Sequence, residues 1–600
     1  MNATVTIKKC SMNKIVYAPP VANGSYTVCF FTANLKGQAA AFPDNIQKCG
    51  TTAFFKVSSY HLPKSLLNKM SFNLEGHWEK DTNAKSQDGH IFIAEKASES
   101  LPETTSEIIK FFEKNCKGVG KVMATEIANA FGAKTLDICA HQPKKLEAIP
   151  KMTPVLLGNI NSACLSALVR ADVQALLKDS NVEVSVIDKI VEEYSDEATT
   201  ILRCEPYKTV SLLGFSTADK IAMSLGEDAD SVRRMHAATV EAQKRACTRT
   251  GNMCAEQDAI KAQLQVLTPE VSSDVMDKAI VEVAQTYDIV KQGKYYYDKS
   301  DFLTERKMAA KIAELACVKP SKEAEIEKAF IEWQQENSMI LSPRQAEAVR
   351  NLKYRISIVT GGPGTGKTTC LRAIMDVYHK VWPSEHILLM APTGLAAKRM
   401  AESTKTNSAP IPKACCLVPA DNNSGFVAQS ECRICGFVGI DEMSMVGEHL
   451  FAFAIDAVLN SPSTRIVLLG DTDQLAPVSR GDVLRDLIQC SVIKTVRLDV
   501  NYRQGSTSTI TDASIKIREN RAYSGMTRNL KFDDEFNFIS VTNPDQKTEA
   551  DQILSRVVEE YQKGVAKYGV KGTIILTPTH FDKGTATGYL CKNRVNAVIQ

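Results

Sequence analysis

The alternation of apolar and polar positions changes its period along the chain and predicts successive regions. Residues 1–100 hold short β-type runs between turn signals and predict a small β-rich, OB-like domain. Residues 101–245 switch to helical periodicity broken at glycines. Residues 246–335 alternate helical runs with one strand-like run, compatible with a winged-helix-like connector. From 336 onward strands, the last of them GTIILTP (572–578), alternate with helices. This rhythm is typical of an α/β fold with a parallel sheet.

The strand RISIVT (355–360) runs into a glycine-rich loop with the phosphate-binding pattern G-x-x-x-x-G-K-[ST], and an apolar-periodic helix follows. Glycines let backbone N–H groups approach phosphate oxygens, and a helix N-terminus favours negative charge. Lys367 can reach the β- and γ-phosphates, and Thr368 can bind Mg²⁺. The flanking strand and helix argue against a chance glycine-rich turn. The sequence therefore predicts an ATP and Mg²⁺ site formed by Gly361, Gly362, Pro363, Gly364, Thr365, Gly366, Lys367, Thr368 and Thr369.

Two further apolar strands end in polar residues that suit phosphoryl transfer. Asp441 and Glu442 follow the first strand, at the end where α/β sheets bind ligands. Asp441 would hold Mg²⁺, and Glu442 would polarise the attacking water. Gln474 lies just after the second strand, and its amide can donate and accept, which suits a sensor of the γ-phosphate. Each of these could alone be a solvated turn, but the upstream phosphate-binding loop favours the catalytic interpretation.

In this order, GGPGTGKT, DEMS and GDTDQLAPV resemble motifs I, II and III of superfamily 1 helicases. The glutamine in the third motif separates this family from other P-loop ATPases. The resemblance implies RecA-like motor lobes, a first lobe over 336–495 and a partial second lobe over 496–600. It also assigns roles outside the loop: adenine recognition to Gln345, contact with single-stranded DNA to Thr393 and Lys398, and contact with the γ-phosphate to Arg503.

The upstream regions resemble the RecD2-type branch, in which glycine-bearing turns are helix-hairpin-helix elements. KGVGK (117–121) and LGFST (213–217) each precede an apolar-periodic helix. Backbone N–H groups at Gly118, Gly120 and Gly214 would bind DNA phosphates without reading sequence. An ordinary turn between two helices remains the alternative for each turn taken alone.

The chain departs from this family at three places. Pro150-Lys151-Met152-Thr153 stands where the middle turn usually carries a glycine, so we expect no phosphate contact there. Residues 412–416 replace a Thr-Ile-His segment, and we carry no role over to them. The motif V and VI elements are not found in the 600 residues. We interpret this last departure as a fragment of a longer product or an incomplete second lobe.

The resemblance implies an ATP-dependent DNA helicase that moves 5′ to 3′ along single-stranded DNA and acts at duplex–single-strand junctions. Nucleases or replication proteins would be its partners, in DNA repair, recombination or replication. Two other classes stay open. One is a P-loop ATPase that remodels or loads protein, which DNA-stimulated hydrolysis would distinguish. The other is a truncated DNA-binding subunit with impaired ATPase activity.

Composition changes this picture little. A net charge of +3 and a pI near 8.0 exclude a dedicated polybasic binder and a strongly acidic protein. The chain begins without a secretory signal and has no long apolar stretch, so we expect a cytoplasmic protein of bacterial, phage or plasmid context, without a membrane span. Cys432 and Cys435 lack the four ligands that zinc needs. The tyrosines at 295–297 are expected to lie partly in a core rather than to stack on bases.

Overall fold

The computed structural model describes residues 101–178, 182–286, 288–419, 434–459 and 461–500. It also describes five strands before residue 100 and the shorter segments 180, 426–429, 502, 509–518, 533, 536–537, 539–541 and 546–577. By internal contacts the chain separates into two compact units. The first comprises Met1–Val359 and Cys370–Val496, and the second comprises Thr360–Thr369 and Arg497–Gln600. Each unit is described by itself.

The first unit begins with a closed five-stranded barrel in the order β1-β2-β3-β5-β4. Its strands are β1 (Val5–Tyr17), β2 (Val28–Asn34), β3 (Thr52–Ser58), β4 (Ser71–Lys80) and β5 (His90–Glu99). Strand β3 pairs with β5 in parallel, and the other described pairs are antiparallel. Leu74 and Phe92 are fully buried inside, and the Trp78 ring meets Phe92 edge-on at 5.2 Å. The β-rich start of the predicted fold class is confirmed.

Helices fill the next stretch of the chain, as the glycine-broken helical pattern predicts. They are α1 (Thr105–Asn115), α2 (Lys121–Phe131), α3 (Thr135–His141), α4 (Pro154–Leu176), α5 (Val184–Tyr194), α6 (Ala198–Cys204), α7 (Val210–Leu213), α8 (Phe215–Ser224) and α9 (Val232–Thr250). Their apolar faces form separate cores, one around Phe112 and Ile127 and another around Ile190 and Leu202. The turns at Gly118–Gly120 and Gly214 therefore connect packed helices and are held from both sides.

A small connector follows the helical region. It contains β6 (Cys254–Glu256), α10 (Gln257–Leu267), α11 (Ser273–Val283), β7 (Ile289–Gln292), β8 (Tyr295–Asp298) and α12 (Lys299–Cys317). The three strands form an antiparallel sheet in the order β6-β8-β7. Tyr296 on β8 is 1% exposed, whereas its neighbour Tyr295 is 39% exposed. The prediction that the tyrosine run lies partly in a core is confirmed.

A six-stranded sheet has the order β11-β10-β14-β15-β9-β16, and its strand residues up to Val359 and from Ile387 to Val496 belong to the first unit. The chain elements are α13 (Glu323–Glu336), α14 (Pro343–Arg350), β9 (Ile356–Gly361), α15 (Lys367–Val381), β10 (Ile387–Ala391), α16 (Gly394–Thr404), β11 (Ser408–Pro410), α17 (Ile411–Ala414), β12 (Leu417–Pro419), β13 (Phe426–Ala428), β14 (Phe437–Ile440), α18 (Glu448–Val458), β15 (Arg465–Gly470), α19 (Val483–Gln489) and β16 (Lys494–Leu498). Strand β10 pairs in parallel with β11 and β14, and β14 with β15. Every residue of β9, β14 and β15 is buried, which explains their continuous apolar sequences. The predicted α/β class is confirmed.

Arg465, the first residue of β15, anchors one end of this sheet. Its guanidinium lies 4.1 Å from the centre of the Trp382 ring and donates to the Leu352 carbonyl at 2.9 Å. It also donates to the Ser321 hydroxyl at 2.7 Å. Burial lowers the pKa of Arg465. One buried cation thus joins β15 to the segments that flank α13 and α15.

The second unit contains α20 (Thr509–Arg518) and α21 (Gln546–Tyr568). The strand predicted for GTIILTP is wrong over its described residues, because 573–577 form no strand. Ile574 and Leu576 are 80% and 86% exposed, so neither side chain is covered as it would be in an inner strand of a sheet. Among the described residues, no helix has the length and apolarity needed to cross a bilayer.

Candidate nucleotide and DNA sites

The glycine-rich loop between β9 and the start of α15 has the backbone that its sequence requires. Gly364 and Gly366 have φ of 79° and 83°, which a residue with a Cβ rarely adopts. A Cβ on Gly361 would lie 2.7 Å from the Leu498 carbonyl oxygen, so this position has no room for a side chain. The Thr365 hydroxyl donates to the Gly362 carbonyl at 2.8 Å and stabilises the loop from within.

Lys367 is the first residue of α15, and its ammonium group folds back onto the loop. It donates to the carbonyl oxygens of Gly361 and Gly362 at 2.5 and 3.1 Å. The Tyr502 N–H donates to the Gly364 carbonyl at 2.8 Å within the same unit. A bound phosphate would offer the lysine a stronger, charged acceptor in place of the two carbonyls. Arg503, next to Tyr502, lies outside the described residues.

Gln345 is buried at 6% exposure and belongs to a helix cap. Its Oε1 accepts from the Ser342 N–H at 3.1 Å, and the Ser342 hydroxyl accepts from the Gln345 N–H at 3.3 Å, which completes a capping box at the start of α14. This structural role was not predicted, although the pattern S-P-R-Q contains its signal. The cap leaves the side-chain amide nitrogen of Gln345 to donate to a base.

Asp441 and Glu442 follow directly on the buried strand β14. The Asp441 N–H donates to the Met390 carbonyl at 3.0 Å, so the aspartate extends the parallel ladder to β10. Glu442 has φ 54° and ψ 40°, a left-handed conformation that costs a non-glycine residue about 1–3 kcal/mol. Its Oε2 is buried and accepts no hydrogen bond in the described structure. A strained residue with an unsatisfied carboxylate oxygen suits the polarisation of a water molecule.

A hydrogen bond between side chains links the residues after β15 to the turn that follows the acidic pair. Asp471 is 2% exposed, and its Oδ1 accepts from the Asp473 N–H at 3.0 Å. The Ser444 hydroxyl donates to the Oε1 of Gln474 at 3.3 Å. This bond leaves the amide nitrogen of Gln474 to donate to a phosphate. Ser444 was missed as a functional residue, although it completes the DEMS motif.

Two of the predicted DNA-binding turns expose an open helix N-terminus. Gly120 and Gly214 are the N-caps of α2 and α8, and neither helix receives a side-chain cap. A Cβ on either glycine would meet nothing within 4 Å, so the approach to the backbone N–H groups is clear. Gly118 has φ 89°, and Lys117 and Lys121 beside it are exposed. This geometry can bind a phosphate through backbone and charge.

The middle turn, at Pro150–Thr153, differs in a way that explains the absence of glycine. Thr153 caps α4 itself, because its hydroxyl accepts from the Leu156 N–H at 3.3 Å. Lys151 takes the left-handed conformation with φ 64°. The Leu156 N–H at the start of α4 thus already has a partner and Pro154 has no N–H to offer, which supports the expectation that the turn contacts no phosphate.

Thr393 and Lys398 belong to α16, at the end of β10. Thr393 is the N-cap, and its hydroxyl accepts from the Ala396 N–H at 3.2 Å. The side chain of Lys398 is 74% exposed, with Glu402 4.0 Å away. Lys398 therefore presents its charge to solvent, and Thr393 orients the helix start.

The Thr368 hydroxyl and the Asp441 carboxylate are each oxygen donors, the ligand type that Mg²⁺ prefers. The Oε2 of Glu442, next to Asp441 in the sequence, accepts no hydrogen bond in the described structure. Within the described part of the chain, no group of three or more histidine, cysteine or acidic side chains could hold a metal. Cys432 lies outside the described residues.

Family models match two parts of the chain. The model described as an AAA domain matches residues 340–541. The model described as the ATP-dependent RecD2 DNA helicase HHH domain matches residues 169–254. The second match covers the glycine turn at Gly214 and ends just after α9. The fold and the glycine-rich loop thus define a P-loop protein with a helix-hairpin-helix region upstream.

Relatives with known names agree with these models. The ATP-dependent RecD2 DNA helicase of Deinococcus radiodurans is 28% identical over 438 residues, which cover 69% of this chain and 59% of that protein. The RecBCD enzyme subunit RecD of Haemophilus influenzae is 37% identical over 161 residues, 23% of this chain and 24% of that one. The recognition of a RecD2-type helicase sequence is confirmed. The chain spans about three fifths of the Deinococcus relative.

Among solved structures, that of Pif1 helicase from Candida albicans is 23% identical and covers 37% of this chain and 55% of the other. The TM-score of the pair is 0.26.

Proposed function

We propose that the protein is an ATP-dependent DNA helicase that translocates along single-stranded DNA by hydrolysis at the glycine-rich loop. The observation that carries this proposal is the loop itself, in which glycines with positive φ precede a lysine that begins a helix. The AAA domain match and the RecD2 helicase relative support it.

In the proposed reaction, Lys367 and Arg503 neutralise the charge that develops on the γ-phosphate, and Thr368 and Asp441 hold Mg²⁺, which would supply charge stabilisation. Glu442 polarises the attacking water with its unsatisfied carboxylate oxygen. Gln474 senses the γ-phosphate with its amide nitrogen, while Ser444 orients the amide. Gln345 donates to the adenine from the cap of α14.

The DNA half of the proposal assigns Gly118, Gly120 and Gly214 to phosphate contacts and Thr393 and Lys398 to the single strand. The open helix N-termini at the first and last turns support it. Movement from 5′ to 3′, action at duplex–single-strand junctions, nuclease or replication partners, and a cytoplasmic location in a bacterial, phage or plasmid setting belong to the same proposal.

The test is ATP hydrolysis by the 600-residue chain with and without single-stranded DNA, beside the variant Lys367→Ala. We expect DNA to stimulate hydrolysis and the variant to abolish it, because the lysine contacts the transferred phosphate. Strand displacement on substrates with a 5′ or a 3′ single-stranded tail then gives the direction.

Two results would contradict the proposal. Hydrolysis that is equal with and without DNA would favour the alternative of a protein-remodelling ATPase. Binding of nucleotide and DNA without hydrolysis would favour a truncated DNA-binding subunit with impaired ATPase activity.

A further inference from the structure

A buried ion cluster lies where the connector meets the sheet of the first unit, and none of its three residues was predicted as a site residue. Its centre is Asp301 in the first turn of α12, which is 1% exposed. The Arg480 guanidinium donates to both carboxylate oxygens of Asp301, at 3.3 Å to Oδ1 and in a shorter bond to Oδ2. His449 on α18 lies 2.7 Å from the same carboxylate. A buried carboxylate shared by a guanidinium and an imidazole holds both side chains in place.

Arg480 stands two residues after the end of GDTDQLAPV, so the ion pair fixes the segment that leaves the third motif. The backbone of this segment is held as well. The Glu448 N–H donates to the Arg480 carbonyl at 3.0 Å, and the Gly481 N–H donates to the carbonyl of Gly251, the C-cap of α9, at 2.8 Å. Residues 479–481 thus bind α9, α12 and α18 together.

The backbone around Gly447 and Gly481 is packed too closely to admit a side chain at either position. A Cβ on Gly447 would lie 2.2 Å from the Ser479 hydroxyl oxygen, and a Cβ on Gly481 would lie 2.6 Å from the Cβ of Glu448. Gly447 begins α18, the helix that follows the acidic pair. The chain leaving the acidic pair and the chain leaving Gln474 therefore touch through backbone, at the place where the upstream helices dock. Such a junction has to shift as a whole, because close-packed interiors do not deform continuously.

We propose that Asp301 is a positioning residue that locks residues 479–481 to α9 and α12 and so transmits DNA occupancy of the helical region to the hydrolysis step. The proposal has two halves. The locking half, the attachment of residues 479–481 to α9 and α12, rests on the contacts alone. The transmission half, the effect of DNA occupancy on hydrolysis, rests on the proposed function. Asp301 touches no reacting group in this scheme, since it acts through Arg480 on the loop that carries Gln474.

The locking half is tested by hydrogen exchange of backbone amides in the full chain. Asp301→Asn and Arg480→Gln are each expected to speed exchange at 479–481 and 251–253 by about tenfold or more, because each variant leaves its former partner without its counter-charge. Asp456→Asn is the matched control. It removes the exposed pairs of Lys307 and Lys311 with Asp456, which also link α12 to α18. Unchanged exchange at 479–481 in both variants would overturn the proposal.

The transmission half is tested by hydrolysis with and without single-stranded DNA. We expect Arg480→Gln to lower the stimulation about tenfold while unstimulated hydrolysis and DNA affinity stay within about twofold, and Arg480→Lys to restore part of it because it keeps one charge. Faster exchange with full stimulation would overturn transmission and leave Asp301 a structural residue. A wild-type chain without any hydrolysis would refute the proposed function, and the exchange result would still decide the locking half.

Discussion

Some residues of this protein are held in an unfavourable backbone conformation, and Glu442 is the clearest case. A left-handed backbone at a glutamate is unfavourable, and a buried carboxylate oxygen without a hydrogen bond is unfavourable too. Asp441 on one side and the turn at Met443–Met445 on the other keep it there. In the proposed function this carboxylate polarises the attacking water, so its removal should affect hydrolysis more than nucleotide binding.

We expect Glu442→Gln to lower the rate of ATP hydrolysis by about 10²–10⁴-fold, because the amide cannot take up a proton from water. Nucleotide affinity should stay within about threefold, since binding depends on the glycine-rich loop. Phosphate release and binding of a fluorescent nucleotide measure the two effects. A rate within about fivefold of wild type would assign the water-polarising role to another group.

Gly481 and Gly226 offer a matched pair for steric effects, because both have φ 91°. A Cβ on Gly481 would clash with Glu448, whereas one on Gly226 would meet nothing within 4 Å. Gly226→Ala should cost about 1–2 kcal/mol through backbone strain alone, and Gly481→Ala about 1–3 kcal/mol more. Chemical denaturation measures both. Equal losses would show that the packing around Gly481 relaxes freely.

Local residue chemistry was predictable wherever a motif is contiguous. The loop from Gly361 to Thr369 takes the backbone that its glycines imply, and Asp441 follows a buried strand as its apolar run indicates. The cap made by Gln345 and the bond from Ser444 to Gln474 were not predicted. The first uses the amide oxygen of a side chain that the resemblance assigned to adenine, and the second joins residues 30 positions apart.

At the scale of elements, the turns of the helical region separate into two kinds. Open helix starts at Gly120 and Gly214 leave N–H groups for a ligand, whereas the hydroxyl of Thr153 caps the start of α4 from within the chain. We therefore expect DNA to contact the first and last turns and to pass over the middle one.

The double variant Lys117→Gln, Lys121→Gln should weaken DNA binding and reduce the slope of log affinity against log salt by about 1–2, since each lysine that neutralises a phosphate releases about one counterion. Fluorescence anisotropy over a salt series measures the slope. Lys151→Gln, at the capped middle turn, is the control and should leave it unchanged. An altered slope in the control, with none in the double variant, would reverse the assignment.

Contacts between elements that are far apart along the chain could not be predicted from the sequence. Asp301 and Arg480 are 179 positions apart, and neither belongs to a periodic pattern or a motif. A single charged residue in an amphipathic helix usually faces solvent, so nothing in α12 signals that Asp301 is buried. The sheet and the β-rich start were predictable because each strand is a contiguous apolar or β-type run in the sequence.

At the scale of the molecule, stability should depend on pH through Glu448. Burial and the carboxylates of Glu305, Asp486 and Asp301 raise the pKa of Glu448 to about 7, against the opposing effect of His449. Burial also raises the pKa of Glu305 and of Asp486. The folded state therefore binds protons more tightly than the unfolded chain, whose glutamates titrate near 4.5. The stabilisation is complete below that pH and is lost as the pH rises through 7.

We expect the free energy of unfolding to fall by up to about 3 kcal/mol between pH 5 and pH 8 through this group, and Glu448→Gln to remove that part of the decline. Denaturation curves across this range measure it. Glu347→Gln, at a side chain 46% exposed, should leave the wild-type pH dependence intact. A Glu448→Gln curve parallel to wild type would mean that the neighbouring carboxylates carry the effect.

The stacking of Arg465 on Trp382 has an optical consequence. The chain has three tryptophans, Trp78 in the barrel, Trp333 on α13 and Trp382 at the end of α15. No tryptophan lies between residues 79 and 332, so the helical region and the connector contribute no fluorescence when tryptophan is excited selectively. Because the Arg465 guanidinium lies 4.1 Å from the Trp382 ring, the emission of Trp382 should respond to any displacement of Arg465 at the start of β15. Unfolding of the helical region alone would therefore reduce the far-ultraviolet ellipticity without changing the tryptophan emission spectrum.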